Sequence, residues 1–391
     1  VLWSPDTPKL YDIALTGGKD TLQDRVGFRT IETEGTKILL NGVPLKLKGI
    51  STHSEPIGEP GIAYSRDHMK ALLLEAKALN ANFVRAAHYP YSRHLAEVAD
   101  EVGILLWEEI PVYWAVDWKN PDTLSIAKDQ MQRLVTRDWN RASVIIWSVA
   151  NETPQSTARL TFLEDLITDV RDMDDSRLVS AALLGGSRES FERIVTHLAV
   201  RGLDSGRYEG KEKLILRAIK LRAGLKAPKP QDGYTILIDD PLARLVDIVS
   251  YNEYFGWYYA KVFADQTGIS EGTLRDLMLE FVPDMRIAAN VDKPIHISEF
   301  GAGAKAGNIG NGAVIWSEEY QAKGYEAQIE MLRNSPQVQG MTPWILKDFR
   351  AMLRPRAGIQ DFYNRKGLMD ETGKKKLAYG VLKDFYDGEW E

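Results

Sequence analysis

The sequence predicts an α/β fold, an eight-stranded (β/α)8 TIM barrel behind a short all-β lead. Three observations carry this. From residue 45 onward, eight short apolar runs alternate with longer segments whose apolar residues recur at helical spacing. The runs end in polar and aromatic residues, as strands do at a barrel mouth. No Gly-x-Gly-x-x-Gly opens a helix after a strand and no Walker loop is present, which weakens the rival doubly wound open sheet.

The lead comes first. Residues 10–16 read as a strand, Gly17-Gly18 as a turn and residues 26–32 as a second strand. Residues 37–40 and 43–47 flank Asn41-Gly42, the pair that suits a type I′ hairpin turn. So few strands bury no face alone, so the lead either decorates the barrel or is the tail of a truncated β-sandwich. The expected division is 1–40 for the lead and 41–391 for the barrel.

The expected barrel strands are 45–51, 83–88, 104–110, 144–151, 178–184, 248–254, 294–300 and 338–346. Helices are expected at 67–79 behind the N-cap Ser65, at 94–102 stopped by Gly103, at 125–141, at 158–173 and, last, at 374–386. Residues 185–240 read as an irregular insertion. Its Lys- and Arg-rich stretch 211–229 is either a solvated excursion or a lid beside an anionic substrate.

Composition narrows the function. With 55 acidic and 49 basic residues the net charge is −6, which gives no bulk attraction for nucleic acid. No apolar run reaches a membrane-spanning length. The absence of cysteine excludes thiolate metal sites, cysteine catalysis and disulfides, and fits an oxidising or a reducing compartment, so cytoplasm, periplasm and secretion all stay open. The chain opens on Val1, as a processed chain or a fragment does.

The strand ends carry the chemistry. Strand four ends in Asn151-Glu152 and strand seven in Glu299, so the two carboxylates face each other across the mouth. Glycoside hydrolysis needs such a pair, one carboxylic acid to protonate the leaving oxygen and one carboxylate to attack or to activate water. Asn151 is placed to bind a sugar 2-hydroxyl, and Asn252 ends strand six. Trp147, Tyr254, Tyr258 and Trp344 offer flat faces for a pyranose, with Trp147 equally readable as core. His88, at the end of strand two, either binds the sugar or bridges Glu108 or Glu109. No His-His-carboxylate cluster has metal-ligand spacing.

These residues carry a resemblance to glycoside hydrolase family 2, the β-galactosidase and β-glucuronidase family. "VIIWSVANE" at 144–152 resembles its acid/base signature and "PIHISEFGA" at 294–302 its nucleophile strand. "LLNGVPLKLKGISTH" at 39–53 resembles its entry into the barrel, and 80–111 its second and third strands. "LWSPDTPKLY" and "VGFRTIE" resemble the end of the family's immunoglobulin-like domain, which would make 1–40 a remnant of that β-sandwich. The resemblance implies a retaining double displacement with Glu152 as acid/base and Glu299 as nucleophile, and a jelly-roll sugar-binding domain upstream. It requires no cofactor. The metal-using galactosidase branch leaves room for a structural cation, and a homo-oligomer is compatible.

The C-terminal motifs are closest to the bacterial β-glucuronidases. "YNEYFGWYY" matches the segment whose tyrosines approach the sugar, here Tyr254 and Tyr258. "FYNRKG" matches the Asn-x-Lys motif that holds the sugar carboxylate, here Asn364 and Lys366. Charge supports this independently, because a lysine beside an amide donor pairs with a fixed carboxylate. The chain departs from the family at Ile345, where asparagine usually follows the tryptophan. The expected function is an exo-acting β-glucuronidase that releases a terminal β-linked uronic acid. The alternatives are a β-galactosidase, a β-galacturonidase and, from another class, a non-catalytic carbohydrate-binding barrel.

Overall fold

The computed structural model describes residues 1–184, 188–310, 312, 314–388 and 390. The lead contains β1 (Tyr11–Gly17) and β2 (Asp20–Val26), an antiparallel hairpin, then a three-stranded antiparallel sheet of β3 (Ile31–Glu34), β4 (Lys37–Leu40) and β5 (Val43–Pro44). Asn41 and Gly42 both have positive φ, 55° and 76°, as a type I′ turn requires. The barrel strands are β6 (Leu47–Thr52), β7 (Phe83–Ala86), β8 (Leu105–Glu109), β9 (Val144–Asn151) and β10 (Leu178–Leu184). A strand outside the barrel, β11 (Tyr234–Ile238), precedes β12 (Ile248–Asn252). A second outer strand, β13 (Met285–Ala289), precedes β14 (Ile295–Glu299) and β15 (Val338–Met341). The eight barrel strands pair in parallel and close into a ring, so the TIM barrel read from the sequence is the fold.

The crossovers begin with α1 (Arg66–Ala78), α2 (His94–Val102), α3 (Pro121–Asp138) and α4 (Thr157–Met173). Ser65 caps α1 by accepting from the His68 N–H at 3.2 Å, and Gly103 stops α2 in the left-handed conformation. α3 starts earlier than its apolar spacing suggests, because Asn120 caps it and Pro121 fits its first turn.

Three expectations are corrected. Residues 26–32 are not one strand. Any Cβ at Gly27 would lie 2.8 Å from both Trp3 and Ala142, and the chain bends there from the hairpin into the next sheet. The insertion is regular, with α5 (Arg188–Asp204), α6 (Gly210–Ala223) and β11, which pairs in parallel with β13. The expected final strand ends at Met341, and Thr342–Leu346 carries the chain irregularly along the mouth.

The lead closes the base of the barrel. Trp3, Leu10, Ile31, Ile38 and Leu40 pack against residues at the starts of barrel strands, including Leu47, Phe83, Leu105 and Leu178. At roughly 25 cal/mol per Å² of apolar surface, each such buried side chain contributes on the order of 1.5–3 kcal/mol. The sheet β3–β5 crosses the expected boundary at residue 40, and no immunoglobulin-like sandwich is present among the described residues. The opposite end is left for the site, framed by α7 (Tyr258–Thr267), α8 (Glu271–Phe281) and α9 (Glu318–Arg333). It continues into a small pair, β16 (Phe349–Arg350) with β17 (Tyr363–Asn364), and α10 (Leu377–Asp387) ends the chain. No helix among the described residues is long and apolar enough to cross a membrane.

Candidate active site

The site is built around Arg85. This β7 residue is fully buried, a position a guanidinium holds only with partners. Its Nε and Nη2 donate to the two oxygens of Glu109, each at 3.1 Å, and Nη1 donates to Glu299 Oε1 at 2.9 Å. Nη2 also donates to Asn151 Oδ1 at 2.7 Å. Trp107 Nε1 lies 2.6 Å from Glu109 Oε2. Although burial opposes ionisation, Arg85 and His88 hold the Glu109 carboxyl down at about 2.

Glu299 ends β14 and Glu152 follows β9. Both oxygens of Glu299 are held: Arg85 on Oε1, and the Tyr254 hydroxyl donating to Oε2 at 2.6 Å. Burial pushes the Glu299 carboxyl above its ordinary value, and Glu152 adds to this, while Arg85, His88 and Tyr254 pull it back. Glu152 sits at φ 51° beside a break in the β9–β10 register, with its N–H on Ala182 O at 2.9 Å. A left-handed conformation costs a non-glycine residue of order 1–3 kcal/mol and persists where the surroundings over-determine it. Here Asn252 Nδ2 donates to Glu152 Oε1 at 3.1 Å and Trp114 Nε1 to Oε2 at 2.9 Å.

Asn252 joins the two halves. Its Nδ2 also reaches Asn151 Oδ1 at 3.1 Å, and its carbonyl accepts from the Ser298 hydroxyl at 2.6 Å. His88 is held at Nδ1 by Glu109 at 2.7 Å, so the bridging reading is realised, while Nε2 faces Glu299 Oε1 at 3.8 Å. Trp344 stacks on the His88 ring, with centroids 4.9 Å apart and planes 13° apart. Trp147 is no sugar platform. It is fully buried, with its indole N–H on Asp174 at 2.9 Å and Arg177 over its ring.

Lys366 and Asn364 lie beside this cluster, joined to it through Tyr254. The Lys366 ammonium is 5.4 Å from the Tyr254 ring and donates to the Tyr258 hydroxyl. Asn364 Oδ1 accepts from Lys366 N at 3.2 Å. Asp348 anchors the segment from below, accepting from Gly367 N at 2.8 Å and pairing with Lys376 and Arg365. Of the eleven residues singled out from the sequence, all but Trp147 therefore lie in one continuous cluster. The sequence reading missed Arg85 and Asp348, which look like interior scaffold in a linear chain, and Trp114, whose position depends on a loop with φ 57°. Among the described residues no group of three His, Asp or Glu is arranged to hold a metal.

Paired carboxylates at two strand ends of a closed parallel barrel, with amides and aromatic rings between them, are the arrangement that glycoside hydrolysis uses. The family model for "Glycosyl hydrolases family 2, TIM barrel domain" matches residues 31–203. A putative beta-glucuronidase of Formosa agariphila is 26% identical over 408 residues, covering 99% of this chain and 43% of that protein. A beta-glucuronidase of Streptococcus agalactiae is 27% identical, covering 94% of this chain and 54% of that one. Among solved structures, a GH2 beta-galacturonidase of Eisenbergiella tayi bound to galacturonate superposes with a TM-score of 0.73 at 27% identity, covering 99% of this chain and 60% of that one. The barrel is thus similar to the TIM barrel domain of glycoside hydrolase family 2. The chain spans about half the length of the curated relatives it matches.

Proposed function

We propose that the chain carries the catalytic centre of a retaining, exo-acting β-glycosidase that releases a terminal β-linked uronic acid, β-D-glucuronide first. Glu299 is the nucleophile. The cation of Arg85 and the Tyr254 hydroxyl both favour its ionised form, and they aim the carboxylate at one place. Glu152 protonates the leaving oxygen, then activates water once Glu299 is esterified and its charge is gone. The Asn151 carbonyl is engaged by Arg85 and Asn252, which leaves its amide N–H groups for the sugar 2-hydroxyl. Trp344 and His88 form the wall beside the ring.

The uronide assignment rests on one observation: a buried lysine at the mouth, Lys366, whose ammonium contacts aromatic rings and a phenol, with no carboxylate in ion-pair range among the described residues. A C6 carboxylate supplies the missing partner, with Asn364 beside it. A galacturonide presents the same carboxylate and is the second reading, favoured by the Eisenbergiella tayi structure. A galactoside gains little from the lysine.

The test compares kcat/KM on p-nitrophenyl β-glucuronide, β-galacturonide and β-galactoside for the parent and Lys366→Ala. One charge-assisted contact is worth roughly 1.5–3 kcal/mol, so the uronide rates should fall about 10- to 100-fold with the galactoside rate little changed. A parent that prefers the galactoside, with that preference intact in Lys366→Ala, ends the uronide reading. Binding of all three without turnover makes the chain a carbohydrate-binding barrel.

A further inference from the structure

Lys366 is one of three cations at one cavity that have no carboxylate partner among the described residues. The cavity has a volume of about 420 Å³ and lies against the C6 side of the proposed sugar site, bounded by Tyr258, Trp316, Arg354, Arg356, Asn364 and Lys366. Its other charged side chains are matched. Lys261 faces Asp265 at 3.2 Å, Arg275 pairs with Glu271, and Arg365 is held by Asp348 and Glu371. Arg354, Arg356 and Lys366 have aromatic neighbours instead. Arg354 Nη2 donates to the Tyr258 hydroxyl at 2.9 Å, so that oxygen accepts from two cations. The Arg356 guanidinium lies 5.6 Å from the Trp316 ring centroid. None of the three has a carboxylate within ion-pair distance among the described residues.

One uronate carboxylate matches one of these charges, and two guanidinium groups remain. Guanidinium presents a planar fork of N–H donors that fits sulfate and carboxylate oxygens in pairs. The aromatic surfaces of Trp316 and Tyr258 keep the arginines beside the cavity without neutralising them. On a pyranose, the substituent adjacent to C5 and its carboxylate is O4, so a group on O4 extends past Lys366 on that side.

We propose that this cavity is a subsite for a second anionic group, a sulfate ester or a further carboxylate carried on O4 of the uronic acid. The proposal rests on the uronide reading above and names a narrower substrate class, the doubly anionic uronides. A 4-O-sulfate keeps cleavage at the terminal sugar. A 4-O-linked uronic acid places a second ring over Trp316, turns the cavity into a subsite for the preceding residue and replaces release of one terminal sugar by release of a disaccharide. The shared chemistry is an anionic oxygen group between Arg354 and Arg356.

The test uses the full-length protein and three p-nitrophenyl β-glucuronides: unsubstituted, 4-O-sulfated, and bearing a 4-O-linked uronic acid. Each is measured with the parent, Arg354→Gln and Arg356→Gln. The readout is the kcat/KM ratio of each substituted substrate to the plain one, which is insensitive to a general loss of folded enzyme. The parent should prefer one doubly anionic substrate about ten-fold or more, the scale of a charge-assisted hydrogen bond, and each glutamine variant should bring that ratio toward one. Which substituted substrate is preferred tells sulfate from carboxylate. A ratio at or below one in the parent, or a preference that survives both variants, overturns the proposal and leaves the uronide reading standing. Turnover of the galactoside with none of the three glucuronides overturns both.

Discussion

The indole N–H of Trp114 donates to Glu152 Oε2 at 2.9 Å, from a residue that is otherwise 57% exposed. An exposed tryptophan at positive φ is held by its contacts, here the Glu152 carboxylate and an edge-on Tyr113 ring at 5.3 Å. The contact fixes the direction of the Glu152 carboxyl, and in the proposed mechanism the direction in which it would present a proton. Trp114→Phe should therefore slow substrates with poor leaving groups, such as methyl β-glucuronide, by about 10- to 100-fold, the scale of a hydrogen bond to a charged group. p-Nitrophenyl substrates, which need less protonation, should lose far less. Equal losses on both would separate Trp114 from the work of Glu152.

The carboxylate roles predict a stereochemical outcome. If Glu299 forms the covalent intermediate, NMR of the first-formed sugar should show the β anomer. Glu152→Ala should lose about 10²–10⁴-fold on substrates that need an acid, with recovery as the leaving group improves. An α-configured first product would assign Glu299 to a base instead.

Through Glu299, Tyr254 is expected to shift the acid limb of the pH profile. Burial raises the Glu299 carboxyl, so activity should fall away as pH drops through a value above the ordinary carboxylate range. The Tyr254 hydroxyl pulls that value down by donating to the ionised form. Tyr254→Phe should move the acid limb to higher pH and lower kcat/KM by about ten-fold or more. A limb that stays put or moves to lower pH contradicts the hydrogen bond as drawn.

Glu253, between the site residues Asn252 and Tyr254, gives a stability prediction. It is fully buried, its Oε2 accepts from Phe255 N at 2.9 Å, and burial pushes its carboxyl up to about 8. The folded state therefore keeps a proton that the unfolded chain has released. The resulting stability is complete below the unfolded value and is lost as pH rises through about 8. The loss is on the order of a few kcal/mol. Glu253→Gln removes the titration, so its Tm should decline less than the parent's between about pH 5 and 8.5. Parallel declines would show that another group titrates.

The barrel was legible because its signals are local. Each strand is a short apolar run, and Glu152 and Glu299 sit at strand ends where a barrel gathers its chemistry. What the sequence hid depends on contacts between distant segments. β13 lies between two expected barrel strands with no reading of its own, and its pairing with β11 is what makes it a strand. Residues 26–32 alternate like a strand, but the packing of Trp3 at Gly27 breaks them. Trp147 has the composition of a sugar platform, and only the facing Asp174 and Arg177 show that it points into the wall of the barrel.

Arg85 has five N–H donors, and protein acceptors engage every one: two on Glu109, one each on Glu299, Asn151 and the Ser298 carbonyl. Those acceptors belong to or adjoin β8, β9 and β14, so one side chain ties its own strand to three others. Nothing is left over for a ligand. The guanidinium at the centre of the mouth has no free donor to offer, so in the proposed function recognition of the sugar falls to the residues around it. Lysine in its place offers three donors and could not span the same strands. In the proposed mechanism the charge on Glu299 is consumed in a covalent bond while Glu109 still faces Arg85, so the cation keeps a counter-charge through both halves of the cycle.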